Sequence, residues 1–184
     1  RVDLNAQRMT DADGAATRVI GVENVTVADG SDAFVFGSSA GNVLTGAAGD
    51  DTIDGWRGND RIVTGDGLDV VRIGFGNDAV ADFDVLERPE EADHDRLVYS
   101  GRAGTVDLGT EAEFFDFFFD AADQFTVRFV ADAADAGVIR AIEIQSTNRQ
   151  ERFSASLTLE GDGMTFADGR AFADANGYDR TLLA

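Results

Sequence analysis

A chain of 184 residues, 43% of them hydrophobic, is long enough for one or two small domains with a real core. With 35 acidic residues against 15 basic ones, all arginine, its formal net charge is −20; that excludes nucleic acid, whose phosphates need clustered positive charge, and opposes an anionic membrane surface. The absence of cysteine excludes disulfides and thiolate metal sites, and no apolar run is long enough to be inserted in a membrane.

The opening RVDLNAQRMT has neither an initiator methionine nor a signal-peptide core, and reads as a fragment or a processed product. Residues 1–36 form a lead-in. VDL (2–4) and VIGVENVTV (19–27) are short valine-rich β-type runs separated by a glycine-containing segment, expected to make one more irregular coil in front of the next region.

From Gly37 to Ala81 the chain repeats every nine residues, in the rows GSSAGNVLT (37–45), GAAGDDTID (46–54), GWRGNDRIV (55–63), TGDGLDVVR (64–72) and IGFGNDAVA (73–81). Column one reads Gly37, Gly46, Gly55, Thr64, Ile73, and column four reads Ala40, Gly49, Gly58, Gly67, Gly76. Column six reads Asn42, Asp51, Asp60, Asp69, Asp78, and column eight Leu44, Ile53, Ile62, Val71, Val80. Glycine allows the positive φ of a tight turn, which leaves carbonyl oxygens pointing inward. The acidic column adds a hard anionic oxygen, and calcium takes about six to eight oxygens at roughly 2.3–2.6 Å, more than one turn supplies and within reach of two stacked turns. The aliphatic column sends one side chain inward per short strand, so alternate rows face each other across a thin apolar core. Scattered surface turns also favour Gly and Asp, but do not hold such a register over five rows.

The block resembles the RTX family of calcium-binding β-rolls, whose repeat is GGxGxDxUx, most closely in rows 46–54 and 55–63. The resemblance implies an all-β parallel β-roll solenoid with Ca2+ in its turns between rows n and n+2. Asp51 would then pair with Asp69 on one side and Asp60 with Asp78 on the other, with Asn42 and Asp60 as a weaker third pair. GSDAFVF (30–36) looks like a degenerate opening row, Asp32 standing in the acidic column and Phe34 in the apolar one. IGVENV before it resembles the stretch that precedes such rows.

Residues 82–100 close the roll. GFGNDAVADFD followed by DRLVYSG (95–101) resembles the exit of an RTX block, where Asp82 and Asp84 either complete a last calcium site or form a polar surface turn. VLERPEEADHD (85–95), with the only proline and the only histidine, His94, reads as an exposed loop. Residues 101–184 are expected to form a mainly β capping region. Six phenylalanines, Phe114, Phe115, Phe117, Phe118, Phe119 and Phe125, are either the core of that cap or a sticky surface, and core is preferred. FTVRFV (125–130), GVIRAIEIQ (137–145) and RFSASLTLE (152–160) are strand-like, the last with Phe153, Ala155, Leu157 and Leu159 on one face. The tail, DGRAFADANGYDRTLLA, is acidic and ends on Leu182-Leu183-Ala184, which resembles a type I secretion signal.

Three function classes follow. The resemblance favours a calcium-dependent folding and secretion module of an exported Gram-negative protein, with a type I exporter as partner, a secreted location and any catalytic part upstream. The alternative is a structural or adhesive module of a surface layer or biofilm adhesin, meeting another copy of itself or a cell-surface glycan. An enzyme has little support: there is no HExxH and no GxSxG motif, one histidine leaves a nucleophilic triad hard to build, and carboxylates such as Glu111 and Glu113 read as solvated surface.

Overall fold

The computed structural model describes residues 1–28, 30, 32–83, 95–99, 106–107, 125–146, 154–159 and 165–176. Short strands β1 (Val2–Asp3), β2 (Arg8–Thr10), β3 (Ala16–Arg18), β4 (Asn24–Thr26) and β5 (Phe34–Phe36) precede the rows. The rows supply β6 (Val43–Ala48), β7 (Thr52–Asp54), β8 (Arg61–Asp66), β9 (Val70–Ile73) and β10 (Asn77–Phe83). They are followed by β11 (Arg96–Tyr99), β12 (Val106–Asp107), β13 (Phe125–Ala131), β14 (Ile139–Ser146), β15 (Ser154–Leu159) and helix α1 (Phe166–Asn176).

Each row makes one strand, and consecutive strands join opposite sheets, which is a β-solenoid. β5, β7, β9 and β11 stack in parallel in one sheet, and β4, β6, β8 and β10 in the other. Val35 aligns with Ile53 and Val71, and Leu44 with Ile62 and Val80. These six side chains, at most 1% exposed, fill the space between the sheets. Each contributes about 1.5–3 kcal/mol by burial, a thin core for so many ordered turns.

The ends depart from expectation. In the opening row the inward residue is Val35, fully buried, whereas Phe34 is 54% exposed. Strand alternation has period two, so an error of one residue in register exchanges the faces. The run 19–27 is not one strand: Gly21 has φ 65, and only Asn24–Thr26 pairs, Val25 lying against Leu44. β1 extends the first sheet beyond β5, and β2 and β3 fold back antiparallel on it.

The three strand-like runs near the C-terminus are β13, β14 and β15, an antiparallel meander with Val127, Phe129, Ile139 and Ile142 buried. β15 lies parallel to β10, Val80 opposite Leu157, so the second sheet passes without a break from the roll into the C-terminal region. Part of the acidic tail is helical: α1 buries Phe166 and Ala173, and the Phe166 N–H donates to the Gly137 carbonyl at 2.9 Å. Among the described residues no helix is long and apolar enough to cross a membrane. Asp95, placed by the sequence in an exposed loop, is fully buried. Asp84, His94, Phe114 to Phe119, Glu111, Glu113, Phe153 and the Leu182-Leu183-Ala184 end lie outside the described residues.

Candidate metal centre

The turns between the two sheets line two edges of the roll, and the acidic column stacks along both. On one edge the backbone N–H of Ala33 donates to Oδ1 of Asp51 at 2.8 Å, and that of Asp51 to Oδ1 of Asp69 at 2.7 Å. On the other, the N–H of Asn42 donates to Oδ1 of Asp60 at 2.8 Å, and that of Asp60 to Oδ1 of Asp78 at 3.0 Å. One oxygen of each carboxylate therefore grips the coil 18 residues earlier. The second oxygen has no such role: among the described residues, Oδ2 of Asp51, Asp60, Asp69 and Asp78 is buried and has no hydrogen-bond partner. The four residues are at most 4% exposed. An unsatisfied buried polar atom costs about 1–3 kcal/mol and more when charged, so the same orphan in four successive rows fits the donor set of a cation site.

The electrostatics agree. Burial pushes Asp60 and Asp69 up to about 7, against the backbone N–H each accepts; Asp78 and Asp54 add to the rise at Asp60, and Asp51, Asp50 and Asp66 at Asp69. Burial also raises Asp51 and Asp78. An ion placed among these groups would reverse the shift, because an opposite charge favours the carboxylate.

The two glycine columns serve different needs. Gly49, Gly58, Gly67 and Gly76 have φ between 114 and 145, where an L side chain is strained. Gly46 and Gly55 are not in that region; there the need is space. A Cβ on Gly55 would lie 2.5 Å from Oδ2 of Asp60. One on Gly46 would lie 2.5 Å from Oδ2 of Asp51 and overlap the carbonyl oxygen of Thr64 in the next coil. The orphan oxygen borders the room left by the missing side chain at both positions, and at Gly46 the Thr64 carbonyl of the stacked turn borders it as well. Among the described residues no three His, Cys, Asp or Glu side chains converge on one point. A cation would thus be held by few carboxylates and by backbone carbonyls, an oxygen-only set that suits calcium and not a softer metal.

Two positions behave differently. Asn42 stands in the acidic column, buried, but its Oδ1 accepts the Ser38 N–H at 2.7 Å and its Nδ2 donates to the Glu23 carbonyl at 3.1 Å, so the protein itself engages both atoms. Asp32 is not in the acidic column: Ala33 occupies that rung, and Oδ1 of Asp32 accepts the Asp50 N–H at 3.0 Å. Asp32 belongs to a second ladder in column five, which sequence reasoning missed. There Oδ1 of Asp50 accepts the Leu68 N–H at 3.1 Å, and Oδ1 of Asn59 the Asn77 N–H at 3.0 Å. Column six bonds back to the previous coil and column five forward to the next, so the pair zips adjacent turns from both sides. The signal was the side-chain oxygen recurring at Asp50, Asn59 and Asn77. Asp95 was also missed, although Asp95-Arg96-Leu97 repeats the acid-x-aliphatic spacing of Asp69-Val70-Val71.

Residues 36–71 match the family model described as the RTX calcium-binding nonapeptide repeat, in 4 copies. No curated protein matches the chain.

Proposed function

From an RTX calcium-binding β-roll as premise, we propose that this chain is the calcium-dependent folding and secretion module of an exported bacterial protein. The observation that carries the reading is the buried, unpartnered Oδ2 of Asp51, Asp60, Asp69 and Asp78. Calcium would be held by these oxygens with backbone carbonyls of the stacked turns, Gly46, Gly49, Gly55, Gly58, Gly67 and Gly76 giving the turns their shape. Without the ion, close buried carboxylates oppose the stacking of coils whose apolar core is thin. With it, binding free energy becomes folding free energy. Low cytosolic calcium would keep the chain open for export, and folding outside would prevent its return. The module itself has no catalytic role in this reading.

Far-UV circular dichroism in EDTA and through a calcium titration, with magnesium as control, tests it. The β signal should be weak in EDTA and rise near the millimolar calcium typical of extracellular modules, on the order of 10⁻⁴–10⁻³ M. Identical folded spectra in EDTA and calcium would remove the reading.

A second reading, an adhesive module, draws on one observation. Trp56 and Phe75 are each 39% exposed, and the Arg57 guanidinium lies 5.4 Å and 5.6 Å from their ring centroids. Calcium-dependent self-association in analytical ultracentrifugation would favour it, and a monomer at high concentration with calcium would favour the first.

A further inference from the structure

Trp56 stands in column two of its row, a left-handed position in three successive rows: φ is 115 at Ala47, 62 at Trp56 and 99 at Gly65. A bulky L side chain is an outlier there, at a cost of about 1–2 kcal/mol that glycine would avoid. At 39% exposure the ring is no part of the core between the sheets. A strained, exposed aromatic residue calls for a reason other than packing.

The backbone under the ring is fixed. The Trp56 N–H donates to Oδ1 of Asp54 at 2.8 Å, and its carbonyl accepts the Phe75 N–H at 3.0 Å. The Gly58 N–H donates to the Phe75 carbonyl at 2.9 Å, so Arg57 and Phe75 are bridged in parallel across the two coils. Gly74 lets the coils come this close, since a Cβ on it would overlap the Trp56 carbonyl. Two rings from stacked coils thus share one edge, with the Arg57 guanidinium 5.4 Å from the Trp56 centroid and 5.6 Å from that of Phe75. Phe75 is also 39% exposed, and Arg57 makes no ion pair among the described residues.

Size and charge select what this patch can hold. A partner protein needs about 800 Å² on each side, far more than two half-exposed rings and one guanidinium offer. The net charge of −20 repels a second copy of this chain and any polyanion. A hexose fits both limits: it is small and neutral, with a face of C–H groups for the rings and a rim of hydroxyls to accept from the guanidinium fork.

We propose that Trp56, Phe75 and Arg57 form a binding site for a neutral saccharide, the rings stacking on the C–H face of a sugar and Arg57 donating to its hydroxyls. The site rests on the calcium-dependent folding reading for its regulation alone: its rings belong to rows 55–63 and 73–81, so it exists only where those coils stack.

Trp56 is the only tryptophan, so its fluorescence reports on the site directly. The calcium-treated chain is titrated with dextran, mannan and a soluble β-glucan in turn, and with alginate as an anionic counterpart. At least one neutral polymer should shift the emission saturably, and Arg57→Ala and Phe75→Ala should each weaken that binding on the order of tenfold. Trp56→Gly relieves the left-handed φ, so it should keep the calcium-induced circular dichroism and lose retardation in gels containing the polymer. No shift with any neutral polymer, a shift with alginate alone, or unchanged affinity in both alanine variants overturns the site and leaves the folding reading intact. An emission that moves with protein concentration alone assigns the patch to a second copy and also overturns it. A chain folded alike in EDTA and calcium, with the same sugar shift in both, supports the site and removes the folding reading instead.

Discussion

Asp60 in the roll and Asp132 in the C-terminal meander are the same residue in opposite circumstances. Asp132 is 29% exposed at its side chain, accepts the N–H groups of Ala134 at 2.7 Å and Asp135 at 3.2 Å, and lies 3.7 Å from Arg140. Those backbone donors, then Arg140, hold its carboxyl below the usual range. Asp60 accepts a single N–H, is buried, faces Asp78 and Asp54, and is pushed up to about 7. One aspartate is satisfied by its own turn. The other keeps one buried oxygen without a hydrogen-bond partner among the described residues. Sheet pairing alone does not separate the regions, since β10 and β15 share a sheet; the wiring of the turns does.

Acidity should break that comparison most visibly. In the metal-free chain Asp60 and Asp69 have folded values near 7, above the ordinary 3.8. The folded form therefore holds more protons than the unfolded one between those values. Metal-free roll stability is present below about 3.8 and lost as pH rises through about 7. EDTA-treated protein should gain β signal on acidification from pH 8 to pH 5. Calcium demands the deprotonated form, so the same acidification should raise the calcium midpoint. Asp132, with its lowered value, contributes in the opposite sense, losing its stabilisation as pH falls below the ordinary 3.8. A metal-free chain whose circular dichroism is flat across this range would show that the roll's carboxylates are already compensated.

Asp60→Asn sharpens the contrast at one atom. The amide keeps an acceptor for the Asn42 N–H and removes the buried charge. Metal-free stability should rise by about 1–3 kcal/mol, while the calcium midpoint moves up on the order of tenfold. Asp132→Asn should leave the midpoint unchanged. Urea unfolding with and without calcium reads both signs.

The smallest change is Gly46→Ala. Its φ is ordinary, so propensity alone would favour alanine. The added Cβ would overlap the Thr64 carbonyl and crowd Oδ2 of Asp51. A loss on the order of 1–3 kcal/mol, as for overpacking, is expected in thermal unfolding with calcium. A stabilised variant would mean that coils 18 residues apart do not approach so closely.

The nine-residue register was legible because each column meets the same physical demand in every coil. One inward aliphatic, one turn glycine and one acid per row can be read as a pattern, and Ile53, Ile62 and Asp51, Asp60, Asp69, Asp78 stand where that pattern puts them. Which oxygen of each acid grips the backbone and which is left over is not in the pattern, since it depends on the coil stacked alongside. The ends were illegible for the same reason. Ala33 rather than Asp32 holds the first rung because β5 is set by its pairing with β7, and Asp95 holds a later rung across a longer coil because β11 pairs with β9. Nor does local sequence tell Ser154–Leu159 to lie parallel to Asn77–Phe83, far back in the chain; the open edge of β10 decides it. Local periodicity reports what one coil needs, and only neighbours in space decide what one coil lends to the next.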